Sequence, residues 1–131
     1  MPANASIVLA DGKGTPENHT FNPMGIDGFI SRYANLTDAT YTIGQEKLTI
    51  RTKTERKRRH VVVQLTVPRL VEETVNSVTV PSAPDFATAK AELILPETWS
   101  EADITDLRVL LSNALLNTLV EDLVDTGAFV Y

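Results

Sequence analysis

Residues 47–59 hold seven basic side chains, Lys47, Arg51, Lys53, Arg56, Lys57, Arg58 and Arg59, against the single acid Glu55. A strip of net charge +6 can neutralise phosphates and release their counterions even when the whole protein is acidic. A solvated hairpin tip would carry the same charges, and the run alone does not separate the two readings. Catalytic chemistry has far less to draw on. His19 and His60 are the only histidines. No serine stands in a nucleophile elbow, no glycine-rich loop opens a helix, and no His, Asp and Glu cluster has metal-ligand spacing. Glu72-Glu73 and Glu121-Asp122 are adjacent, and neighbours on a strand or helix do not face one another, so paired-carboxylate catalysis has no basis. Asp11-Gly12-Lys13-Gly14 is explained by turn chemistry, since no helix follows it. The inventory argues against an enzyme and implies neither cofactor nor metal.

The elements that must position the basic strip follow from periodicity. Lys47, Thr49, Arg51 and Lys53 alternate with Leu48 and Ile50, the period of a half-buried strand. In the next strand Val61, Val63, Leu65 and Val67 form one face and His60, Val62, Gln64 and Thr66 the other. Residues 55–58 are the expected turn between them, and Pro68 the expected end. The two polar faces then lie side by side. A strand over 86–95 adds Thr88, Lys90 and Glu92 to that side and sends Ala89, Ala91, Leu93 and Leu95 inward, with Pro96 as its stop. On such a surface Lys47, Arg51, Lys53 and Lys90 suit phosphates, and Thr49, Gln64 and Thr88 suit base edges. Phe29 and His60 are the available stacking groups. Unpaired RNA is the nucleic acid whose bases are open to such a sheet.

Around this centre the chain reads as an N-terminal hairpin, with Ser6–Ala10 and His19–Asn22 as its arms, then breaks at Asn22-Pro23-Met24-Gly25 and Asp27-Gly28, and a strand over Phe29–Leu36. Residues 69–85 read as a long, exposed and mobile connection. Ser100-Glu101-Ala102-Asp103 has the form of a helix N-cap with acids in the first turn. Ile104, Leu107, Leu111 and Leu115, then Leu116, Leu119, Val120, Leu123 and Val124, follow at helical spacing until Gly127. So wide an apolar stripe exceeds what one sheet layer covers and favours a partner chain. The apolar end Ala128–Tyr131 is expected to be covered.

The chain has 131 residues, a formal charge of −5 and no cysteine. That length suits one domain, and the absence of cysteine excludes disulfides and thiolate chemistry and favours a cytoplasmic folding environment. Neither a secretory signal nor a membrane span is expected. The charge is segregated: residues 97–131 carry a net −6, opposite in sign to the basic strip.

Val67-Pro68-Arg69, Glu73-Thr74-Val75-Asn76-Ser77-Val78 with Val80-Pro81, Ala91-Glu92-Leu93-Ile94-Leu95-Pro96, Ile7-Val8-Leu9-Ala10-Asp11 and the terminal Tyr131, in this order and spacing, resemble the coat proteins of the small single-stranded RNA bacteriophages, the leviviruses. Asn76-Ser77 stands where that family has a Gly-Gly pair. The resemblance implies an α+β fold over residues 1–131 as a single coat-protein domain. Its parts are a hairpin at about 5–22, an antiparallel sheet of about five strands at about 29–95, and two C-terminal helices at about 100–125 that cross an interlocked homodimer.

It further implies assembly of the dimers into an icosahedral shell around single-stranded genomic RNA, a location in the virion, assembly in the bacterial host cytoplasm, and no membrane partner. The inward sheet face would bind an RNA stem-loop, repressing translation and marking the genome for packaging. The implied RNA contacts are Phe29, Thr49, Arg51, Lys53, His60, Val62, Gln64, Thr88, Lys90 and Glu92. Lys47 and the tip residues Arg56, Lys57, Arg58 and Arg59 join them from the charge argument. Arg51 and Val62 replace small hydroxyl residues of the family pattern, Gln64 a lysine and Thr88 a stacking tyrosine, so the cognate hairpin is expected to differ from the prototype's. A dimeric RNA-binding regulator that does not assemble is the alternative reading.

Overall fold

The computed structural model describes residues 4–36 and 45–127. The expected cover over Ala128–Tyr131 lies outside them. Six strands form ladders in chain order: β1 (Ile7–Ala10), β2 (Asn18–Asp27), β3 (Ile30–Ala34), β4 (Lys47–Glu55), β5 (Arg58–Val75) and β6 (Val78–Pro96). Two helices follow, α1 (Glu101–Leu115) and α2 (Thr118–Thr126). The strands up to Ile94 of β6 belong to one unit, and the last two residues of β6 and the helices to a second unit starting at Leu95.

In the sheet unit every strand pairs antiparallel with the one before it from β1 to β5. The register sorts the side chains. Tyr33 pairs with Leu48 and Leu48 with Leu65, while Ser31 pairs with Ile50 and Ile50 with Val63. Directly paired residues share a face, so this face holds the core. Phe21, at 1% exposure, Tyr33 and Leu48 form its centre, with Ile7, Ile50, Val63 and Leu65 against them. The opposite face takes the polar residues of β4 and β5.

Three expectations are corrected. β2 does not break at Pro23-Met24-Gly25 but runs through them, because a bulge between Pro23 and Gly25 absorbs the irregularity. β5 does not end at Pro68. That proline lies past the last β4 pair, Lys47 with Thr66, so its missing N–H forfeits no bond on that side. The stretch 69–85 is therefore no long loop: β5 and β6 continue through it and are joined by Asn76 and Ser77, both left-handed at φ 51° and 67°. Two central residues with positive φ make the type I′ turn, whose twist matches that of the flanking strands.

Along β6, Ala91 and Leu93 are half-buried and Leu95 is buried, as period two requires, but Ala89 is exposed. The core centres on β2, β3 and β4, away from that end of the sheet.

The helical unit follows its sequence signals. Ser100 caps α1, its Oγ accepting the Asp103 N–H at 3.3 Å and donating to Asp103 Oδ2 at 2.8 Å. Asn117 separates the helices by capping α2, its Oδ1 accepting the Leu119 N–H at 3.0 Å. Gly127 ends α2 in the left-handed conformation. The apolar stripes remain largely uncovered, with Leu110, Leu115, Leu116, Leu119 and Val124 all exposed.

Candidate nucleic-acid interface

The polar face of β4 and β5 is a set of rows fixed by the ladder. Lys47 lies opposite Thr66, Thr49 opposite Gln64, Arg51 opposite Val62, Lys53 opposite His60 and Glu55 opposite Arg58. His60 Nδ1 stands 3.5 Å from Glu92 Oε1, which brings β6 into the same surface, and alternation along β6 carries Lys90 and Thr88 onto that side. The structure thus brings Lys47, Thr49, Arg51, Lys53, Arg58, His60, Val62, Gln64, Thr88, Lys90 and Glu92 together on one face.

Four residues of the expected set, Arg59, Arg56, Lys57 and Phe29, stand elsewhere. Arg59 pairs with Thr54, so its alternation is that of the core face, beyond the core's edge. Arg56 and Lys57 are the central residues of the turn between β4 and β5, left-handed at φ 49° and 61°. The expected turn over 55–58 is thus another type I′ turn.

Phe29 also lies outside the rows, as the second residue of the turn between β2 and β3, after Gly28 at φ 58°. Its carbonyl accepts the Thr52 N–H at 3.0 Å. This is the type II′ form, with glycine first. The ring, 81% exposed, sits at the sheet's end.

The charges on the face are unevenly matched. Lys53 Nζ meets Glu55 Oε2 at 3.2 Å, an exposed pair of small energetic weight. Among the described residues, Lys47, Arg51, Arg56, Lys57, Arg58 and Lys90 enter no ion pair. Their charge is available to a ligand. At the tip Glu55, Arg56, Arg58, His60 and Ile94 line an open depression of about 460 Å³. Arg32, which sequence reading missed, pairs with Thr49 and so stands on the same face; only its place between Ile30 and Ala34 in an alternating strand could have signalled this. It meets Asp27 at a long 3.9 Å. No group of His, Asp and Glu among the described residues could hold a metal ion, and no described helix is long and apolar enough to cross a membrane.

Comparison with known proteins adds to this geometry. A family model described as levivirus coat protein matches residues 2–131. No curated protein sequence matches the chain. Among solved structures, the virus-like particle of bacteriophage ESE058 is similar at 25% identity and TM-score 0.88, covering 99% of this chain and 100% of that one. The virus-like particle of bacteriophage NT-214 is similar at 23% identity and TM-score 0.85, over 97% and 98%. The bacteriophage GA protein capsid shares the fold at 22% identity and TM-score 0.79, over 96% and 97%.

Proposed function

Because this chain belongs to the levivirus coat protein family, whose role is structural and lies in the capsid, we propose that its polar sheet face binds the single-stranded RNA the shell encloses. The observation that carries the reading is the β4–β5 register: it gathers Lys47, Thr49, Arg51, Lys53, His60 and Gln64 on one side of a sheet whose other side is apolar. Arg51, Lys47 and Lys90 supply the phosphate contacts, Thr49, Gln64 and Thr88 the hydrogen bonds that read bases, and Arg56, Lys57 and Arg58 the less specific attraction at the tip. Phe29 serves as a stacking ring at the border, and Val62 and Glu92 shape the floor between them. Arg59 contributes charge from the other side of the tip.

The subunit acts as a homodimer. β6 is the last strand in the order, and at 19 residues it offers a long edge of unpaired backbone groups, an arrangement that proteins cover or pair. A second copy joined through this edge doubles the polar face. The apolar surfaces left bare on each unit, Ile26 beside the sheet's end and Leu110, Leu115, Leu116, Leu119 and Val124 on the helices, are the surfaces such a dimer covers. Dimers then build an icosahedral shell. In the host cytoplasm the same face binds a stem-loop of the genome, repressing translation and selecting the RNA for packaging.

The test is to express wild type and the triple charge reversal Arg56→Glu, Lys57→Glu and Arg58→Glu, purify particles and measure nucleic acid per subunit. Intact particles with reduced RNA are expected from the triple variant. Particles with unchanged RNA content would contradict the reading.

A further inference from the structure

His19, in β2, lies between carboxylates from two other segments. Its Nε2 is 2.9 Å from Oδ2 of Asp11, in the turn after β1, and its Nδ1 is 2.6 Å from Oε1 of Glu46, just before β4. A carboxylate oxygen only accepts, whereas a neutral imidazole carries one N–H and one lone pair. Only the imidazolium satisfies both contacts. A neutral ring would set its lone pair against an anionic oxygen at one of them.

Both carboxylates are held in place. Asp11 Oδ1 accepts the backbone N–H groups of Lys13 at 3.2 Å and Glu17 at 3.1 Å. Glu46 Oε1 also accepts from Asn35 Nδ2 at 3.3 Å, and the Glu46 carbonyl accepts the Asn35 N–H at 2.9 Å. Neither can swing away without losing other bonds. Behind Asp11, Lys13 Nζ meets Asp11 Oδ2 at 3.5 Å and Glu17 Oε2 at 2.8 Å, which completes the charged groups around the ring among the described residues. The three side chains keep between 19% and 24% of their surface in solvent, so protons exchange freely.

We propose that His19 is a proton-operated latch: as imidazolium it ties the β1–β2 turn and the start of β4 to one ring, and on deprotonation one arm lets go and the N-terminal hairpin loosens. The hairpin is suited to this, since β1 contributes only four pairs, Ile7 to Ala10 with Phe21 to Asn18. The latch stands apart from the RNA-binding reading and does not depend on it.

The sign of the pH dependence follows. Hydrogen bonds to Asp11 and then Glu46 raise the His19 pKa above the ordinary 6.5. The stability the ring contributes is fully present below 6.5 and is lost as pH rises through the raised folded value.

Hydrogen exchange of the full-length protein in its native assembly, from pH 6 to 9 and corrected for intrinsic rates, reads the latch. In wild type, protection of residues 4–18 falls by up to about tenfold per pH unit above 6.5 until the folded pKa is passed, while residues 47–66 stay constant. His19→Gln holds residues 4–18 at the alkaline level at every pH. Glu46→Gln, which keeps the Asp11 contact, ends the fall at a lower pH and makes it smaller, and it serves if His19→Gln does not assemble. Equal protection at pH 6 and 9 in wild type, or a step that persists in His19→Gln, would overturn the latch.

Discussion

Arg51, in β4, and His19, in β2, are charged side chains of one sheet with β3 between their strands, yet the fold gives them opposite tasks. Arg51 faces outward between Ile30 and Val62 with no ion pair among the described residues, so its charge serves a ligand. Arg51→Ala should weaken binding of packaged RNA by roughly 1–3 kcal/mol and lower the salt slope by about one, read by filter binding at several salt concentrations, with particles intact in electron micrographs. Loss of assembly would show that the residue belongs to a subunit contact.

His19 is consumed internally. Its partner Asp11 is held well below the usual carboxylate range, first by the His19 hydrogen bond and then by the Glu17 backbone N–H. That contribution is complete above the ordinary 3.8 and is lost as pH falls toward the depressed value, the reverse of His19. The hairpin should therefore be best protected between about pH 4 and 6.5, and a thermal-melting profile that rises steadily to pH 9 would contradict this. Residue types alone pointed to Arg51 through its place in an alternating strand. His19 was legible only as a hairpin residue, because Asp11 and Glu46 are 8 and 27 positions away and nothing local joins them.

At the scale of elements, alternation was a reliable guide where one face is buried, as in β4 and the first half of β5. It failed where proline and small residues imitate a loop. Pro68, Pro81 and Pro84 suggested an irregular connection over 69–85, but proline forbids only its own N–H, and an edge strand such as β6 tolerates that.

The two-residue turns are strained by composition: Arg56-Lys57 and Asn76-Ser77 occupy left-handed positions that glycine would fill more easily. Ser77→Gly should raise stability by about 0.5–1 kcal/mol, the left-handed penalty relieved, seen as a higher melting temperature at fixed protein concentration. Lys57→Gly should give a similar gain and a lower RNA content, which separates the turn's conformational demand from its charge. In the core, Phe21→Ala removes the most buried ring among the described residues and should cost roughly 3–5 kcal/mol, enough to abolish soluble subunits of a marginally stable fold. Ser100→Ala should cost about 1 kcal/mol through the lost cap.

For the whole molecule, an overall charge of −5 first suggests a protein that avoids nucleic acid. Its separation into a basic stretch over residues 47–59 and an acidic one over 97–131 instead suits a shell subunit with RNA on one side. The sequence order of hairpin, strands and two helices was enough for the resemblance to the coat proteins, and the family match and the shared fold place the chain among them. What no single sequence displays is where its apolar stripes go, because their partner is expected to be another copy: helical periodicity marks Leu110, Leu116 and Val124 as a face without saying what meets it. A cryo-electron microscopy map of particles purified from expressing cells, refined to show ordered RNA, joins these levels in one image. The account predicts RNA density against the face that carries Thr49, Arg51 and Gln64 within β6-joined dimers; density confined to the opposite face, or well-formed particles with none on this one, would contradict it.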